Sequence, residues 1–263
     1  MVKILKILLE RNSVLFSFGL LNIIAAIAFV VLMQISDTVI SGNNAWLKPF
    51  KFAMSIALFS WTMAWYAFEL KSHGAVIIYT WVVVITLGFE IIYISIQAAK
   101  GQLSHFNMSS SFYATMTMLM GVAALILTLW TLYIGILFFT DEVKPIPDYY
   151  AWAIRLGIIL FVIFALEGGL MGARLSHGVG QIEDDAGLPL VKWSTRIGDL
   201  RVAHFIGMHA LQIIPLLSWY LIRNTKGTLA LAFIYTLLAT FTFLQAMRGR
   251  PILKFSGKNI TQK

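Results

Sequence analysis

Apolar residues fall in seven long blocks separated by short polar breaks. The blocks run approximately over 14–35, 50–70, 75–96, 112–139, 150–173, 202–222 and 228–247. Each has about the twenty residues that carry an α-helix across the hydrocarbon of a bilayer. A helix satisfies its own backbone N–H and C=O groups where no water can do so. A membrane β-barrel would alternate in shorter stretches instead. The pattern predicts an all-α, polytopic membrane protein, a single domain over 1–263 built as a bundle of about seven transmembrane helices.

The breaks set the topology. Residues 71–74 and 223–227 read as tight hairpins, whereas 97–111 and 175–198 are longer and more polar. The second of these carries Glu183, Asp184 and Asp185. Seven crossings put the termini on opposite sides, here called face N and face C. Face C has the long loops and the larger share of Lys and Arg. The positive-inside rule then places the C-terminus in the cytoplasm, although Lys3, Lys6 and Arg11 beside the first helix pull the other way. The start, MVKILKILLERN, has the basic character of a signal-peptide n-region. The apolar block behind it is longer than a cleaved h-region, so it is expected to persist as the first helix.

Composition supports the same class. The chain is 59% hydrophobic and 12% charged, with a mean hydropathy of +0.81. A soluble domain of that kind would expose large apolar patches. The absence of cysteine excludes disulfides, thiolate metal sites and cysteine nucleophiles. A net charge of +8 fits basic loops against anionic headgroups. No zinc finger or RNA-binding signature accompanies it, so nucleic acid is not an expected partner. The lipid bilayer is one, a small lipophilic or anionic ligand is a second, and a homo-oligomer is a third.

Two acids lie where acids are expensive. Glu90 and Glu167 sit inside apolar blocks, each about 10 Å below face C at the helical rise per residue. Such residues usually face a cavity or a partner and mark function. Arg174 shares the helical face of Glu167, as Gln97 shares that of Glu90. The stretch from Glu90 to His105 and that from Glu167 to His177 both end in Leu-Ser-His. A repeated helix pair or coincidence explains the echo.

Four of the five histidines, His105, His177, His204 and His209, belong to face C. His204 and His209 are about 140° apart on a helical wheel and flank a strip with Arg201, Phe205, Met208 and Gln212. Imidazoles with a nearby carboxylate suit iron, copper or zinc. Hydrogen bonding between helices is the plainer role for any single one. Lys48, Lys51 and Ser55 share a face at the start of the second block. Cations there oppose the positive end of the helix macrodipole, which points to a nearby anion. Arg201 sits likewise at the start of the sixth block, with Asp199 placed to cap it. Snorkelling to lipid phosphates explains Arg250, Lys254 and Lys258. Ser104, His105 and Asn107 bring a hydroxyl, an imidazole and an amide together after the third block. Glycines 168, 169, 172, 178 and 180 are expected to allow close packing or bends. The Asn259-Ile260-Thr261 glycosylation pattern carries little weight in a basic tail.

Three functions are compatible with these residues. The first is a membrane oxidoreductase. Haem b or a transition metal would be held by His105, His177, His204 and His209, with Glu90 and Glu167 catalytic. Lys48, Lys51, Arg201, Arg174, Asn107 and Gln212 would bind an anionic or lipophilic substrate. The second is a proton-coupled transporter or small-ligand binding protein without metal. The third is a metal-dependent lipid hydrolase, for which the expected His-x-x-x-His is missing. Retinal is not expected, because 228–247 has no lysine for a Schiff base.

Overall fold

The computed structural model describes residues 2–141, 143–180 and 187–254. The acidic run 183–185, Lys258 and the pattern at 259–261 lie outside the described residues. Eight α-helices follow one another: α1 Val2–Arg11, α2 Ser13–Ile35, α3 Leu47–Ala67, α4 His73–Ala99, α5 Ser111–Thr140, α6 Asp148–Arg174, α7 Leu200–Leu217 and α8 Thr225–Met247. A π-helical turn, Ser218–Ile222, extends α7. Two short antiparallel ribbons sit in the long connections, β1 Val39–Ile40 with β2 Asn43–Asn44, and β3 Gly178–Val179 with β4 Gly198–Asp199.

Six helices are long and apolar enough to cross a membrane: α2, α4, α5, α6, α7 with its π turn, and α8. The chain is a helical, multi-pass membrane protein. The remaining predicted block, the second, is α3, a helix of 21 residues that falls short by composition. Its Lys48, Lys51, Ser55 and Ser60 lower its hydropathy. Ala53, Met63 and Ala64 of α3 are fully buried, so protein rather than lipid surrounds much of it.

Contacts at the helix ends fix the antiparallel order. At one end Lys48 of α3 meets His105 beyond α4, and Asn44 donates to the carbonyls of Met33 and Ser36 at the end of α2. Gly198 lies against the Ala246 carbonyl at the end of α8. This end is face C. At the other, Arg11 pairs with Glu69 and donates to the Trp65 carbonyl, and Asp141 accepts from the N–H of Ser72 at 2.9 Å.

The first block is α2, and a separate helix, α1, precedes it. Asn12 is extended and breaks the path between α1 and α2, while its side-chain oxygen accepts from the N–H of Leu15. That is an N-cap for α2. Its amide donates to Thr80 of α4 at 2.8 Å. Further along, Pro215 has no N–H to offer inside α7, and the π turn begins three residues later.

The closest helix contact holds α6 against α7. Phe164 lies over Gly207, where a Cβ would come within 1.9 Å of its ring. Gly157 makes a milder approach to the backbone of Ala210 and Leu211. Of the five glycines expected to permit packing, Gly168 faces His204, and Gly178 and Gly180 face Ile197. Gly169 and Gly172 meet open space, so crowding does not account for them.

Candidate functional site

Five sequence-predicted residues, Lys48, Lys51, Glu90, His105 and Arg201, gather at face C around the starts of α3 and α7. Lys48 is half-buried, and its Nζ is 3.0 Å from Nδ1 of His105. Ser104, itself buried, places Oγ 3.2 Å from the same nitrogen. An ammonium is a donor only, so a charged Lys48 donates to an unprotonated Nδ1. Burial first, and the charge of Lys48 second, hold the His105 imidazolium well below its ordinary pKa. His105 is neutral at pH 7, wedged beside the ring of Phe52. Glu90 is buried on α4, and Lys48 lies within electrostatic range of Glu90, Lys51 and Arg201.

A second knot is centred on Asp199, which is 2% exposed. It caps α7 by accepting from the N–H of Arg201 at 3.1 Å. Nε and Nη2 of Arg201 reach its two oxygens at 2.9 and 2.6 Å, and the Ser194 N–H adds a bond of 2.9 Å. Burial works to raise the pKa of this carboxyl. His177, Arg201 and the Ser194 N–H together outweigh burial and hold the group well below the usual carboxylate range. Arg201 also donates to the Lys192 carbonyl. Lys51 stands between the two knots, within range of Arg201, Lys192 and Asp199.

From this cationic mouth a polar seam descends between α3 and α7. Lys48, Lys51, Ser55, Leu58 and Thr62 repeat at spacings of three and four and so share one face of α3. Gln212 of α7 donates to Thr62 at 3.3 Å and is 3.3 Å from Nδ1 of His209. Below that point Tyr66 donates to the Leu211 carbonyl at 2.9 Å and closes the seam. Between the mouth and this floor, Ser55, Leu58 and Phe205 are exposed. Above this floor the two helices leave a strip of uncovered side chains. Lys51 to Thr62 spans about 16 Å at the helical rise, close to the depth of one leaflet's hydrocarbon. Trp193, Phe205 and His209 form an edge-to-face row along it, with ring centroids 5.5 and 4.1 Å apart.

The remaining predicted residues do not join this arrangement. His204 points to α6, with Nδ1 2.7 Å from the Phe164 carbonyl and 3.4 Å from Glu167. Both Glu167 oxygens are buried and make no hydrogen bond among the described residues. Arg174 does not supply the expected counter-charge, because it is exposed at the end of α6. His177 Nδ1 is 3.6 Å from Asp199, beyond hydrogen-bond length. Asn107 organises its own loop, accepting from the N–H and hydroxyl of Ser109 and donating to the Leu103 carbonyl.

The four histidines thus have four separate partners. Among the described residues no three of His, Asp and Glu are close enough together to hold a metal ion. Nδ1 of His105 is within hydrogen-bond distance of both Lys48 and Ser104. The Leu-Ser-His echo has no structural counterpart either: His105 meets a lysine, His177 an aspartate.

Sequence reading passed over one further polar centre, at face N. Arg11 is paired with Glu69 and lies over the rings of Trp65 and Phe68 at 4.0 and 4.7 Å. Glu69 is 5% exposed. The signal was an acid directly after the aromatic run Trp65-Tyr66-Ala67-Phe68 at the end of a spanning-length block.

Comparison with protein-family models, curated proteins and solved structures finds no match to this chain.

Proposed function

We propose that this membrane protein binds a small anionic amphiphile at face C, its head at Lys48, Lys51 and Arg201 and its tail along the uncovered strip between α3 and α7. One observation carries the reading. The cations stand at the first turns of two helices, where the macrodipole already favours negative charge, and the strip below them carries Ser55, Leu58 and Phe205. A half-buried ammonium needs a counter-charge. Glu90 serves Lys48 as counter-charge, and a bound phosphate or carboxylate takes over that part. The neutral His105 holds the ammonium without competing for the anion.

In this reading α3 is the seventh crossing, and the bundle carries its C-terminus on the cytoplasmic side. The separate engagement of each histidine favours ligand binding or transport over haem or metal chemistry. Binding of an alkyl phosphate and of the corresponding alkanol to the protein in neutral nanodiscs tests the proposal. The phosphate is expected to bind more tightly, with the preference lost in Lys48→Met/Lys51→Met and kept in Lys254→Met. Equal affinity for phosphate and alkanol would refute it. Because the chain has no cysteine, single cysteines placed at 72 and at the exposed position 102 report the two faces by impermeant labelling.

A further inference from the structure

A groove opens at face N, where α1 turns into α2 beside the start of α4. It encloses about 470 Å³. Its rim is polar, with Glu10, Ser13 and His73, and its wall is apolar, with Ile77 and Trp81. Ile77 and Trp81 are 61% and 51% exposed on a membrane-spanning helix, so this wall faces lipid. His73 to Trp81 covers about 12 Å along α4, a step from the headgroup level into the upper acyl region. Tryptophan is at home at that depth.

The charges at the rim are not all available. Arg11 is committed to Glu69 and Trp65, and Asn12 to Thr80 and Leu15. Glu10 and His73 are exposed, and neither side chain has an ion pair or hydrogen bond among the described residues. The rim therefore offers one free carboxylate, one imidazole and the exposed Ser13 hydroxyl.

We infer that this groove is a binding site for a zwitterionic phospholipid with a primary ammonium head, such as phosphatidylethanolamine. Glu10 accepts from the ammonium. His73 and Ser13 donate to the phosphate. The upper acyl chain lies over Ile77 and Trp81. A headgroup without N–H donors loses the first contact, and an anionic headgroup meets the Glu10 carboxylate with like charge.

Fluorescence quenching tests this on the full chain in phosphatidylcholine nanodiscs doped with a minor fraction of lipid brominated on its acyl chains. The quenching lost in Trp81→Phe isolates the Trp81 signal. Brominated phosphatidylethanolamine is expected to quench Trp81 about threefold more than brominated phosphatidylcholine at equal mole fraction. Glu10→Gln and His73→Ala are each expected to bring it to the phosphatidylcholine level, with unchanged helix content by circular dichroism. Equal quenching by the two lipids in the unsubstituted protein would overturn the inference. So would stronger quenching by brominated phosphatidylglycerol, or full quenching retained in both variants.

Discussion

Asp199→Asn separates two roles that a single carboxylate plays at face C. The substitution keeps the shape and removes the charge. Asp199 is nearly sealed from solvent, whereas Arg201 remains 30% exposed. Breaking a buried pair costs about 3–5 kcal/mol; partial solvation of the guanidinium reduces this to about 2 kcal/mol. For a chain of this size that is a fall in unfolding temperature of about 5 °C. Anion binding moves the other way. Removing a negative charge that sits behind Arg201 from a bound phosphate, at an effective dielectric near 20, is worth on the order of 2 kcal/mol. Screening at the open mouth leaves about 1 kcal/mol, or about fivefold tighter binding. The protein in nanodiscs is measured twice, by thermal unfolding and by alkyl phosphate titration. Lower stability with higher affinity is the expected pair. Affinity that falls together with stability would mean Asp199 only shapes the loop, and the charge argument for the site would fail.

Three other outcomes follow from the same geometry. Glu69→Ala leaves Arg11 over two aromatic rings without its carboxylate and is expected to cost about 2–4 kcal/mol, read by thermal unfolding in nanodiscs against Glu10→Ala, which should change little. Gly207→Ala drives a methyl into Phe164 and is expected to cost about 1–3 kcal/mol, whereas Gly172→Ala meets open space and should stabilise α6 by about 0.5–1 kcal/mol; equal effects would contradict the α6–α7 packing. His105 has its pKa lowered in the folded state, so the folded protein binds fewer protons than the unfolded one below pH 6.5. Its contribution is complete above that pH and is lost as pH falls through the folded value. Unfolding measured from pH 7 to 4 should show this slope, and His105→Asn should flatten it.

The helices were legible because lipid imposes one rule on the whole chain. Each block had to be apolar for about twenty residues, and α4, α5, α6 and α8 extend the expected blocks by only a few residues at either end. What stayed hidden was set by contacts between segments. The start of α2 was legible at 14, but nothing local shows that residues 2–11 form a helix of their own, tied down by Arg11 on Glu69, 58 positions away. The site divides in the same way. Lys48, Lys51 and Arg201 could be grouped because cations at helix starts conflict with the macrodipole, a local anomaly. The histidines could not be sorted, because an imidazole takes a lysine, a carbonyl or an amide as partner with equal ease. His204 turned to α6, whereas His209 meets Gln212 and Phe205 of its own helix.

The polarity of α3 joins these observations. By composition it is the least suited of the long helices to cross lipid, yet it reaches from His105 at one face to Arg11 at the other. A helix enclosed by its neighbours has less need of apolar residues, since protein rather than hydrocarbon solvates its sides. Enclosure explains Ser60, which is fully buried, but not Lys48 and Lys51, whose charges bring a desolvation cost wherever they are half-covered. Only Ser55, Leu58 and Thr62 continue the face on which those lysines stand, and that face lies open towards α7. A helix placed merely to fill the bundle would keep its open stripe apolar. One that holds a charged head above a lipid-deep strip would carry cations at the rim and grow less polar below, as α3 does from Lys51 to Leu58.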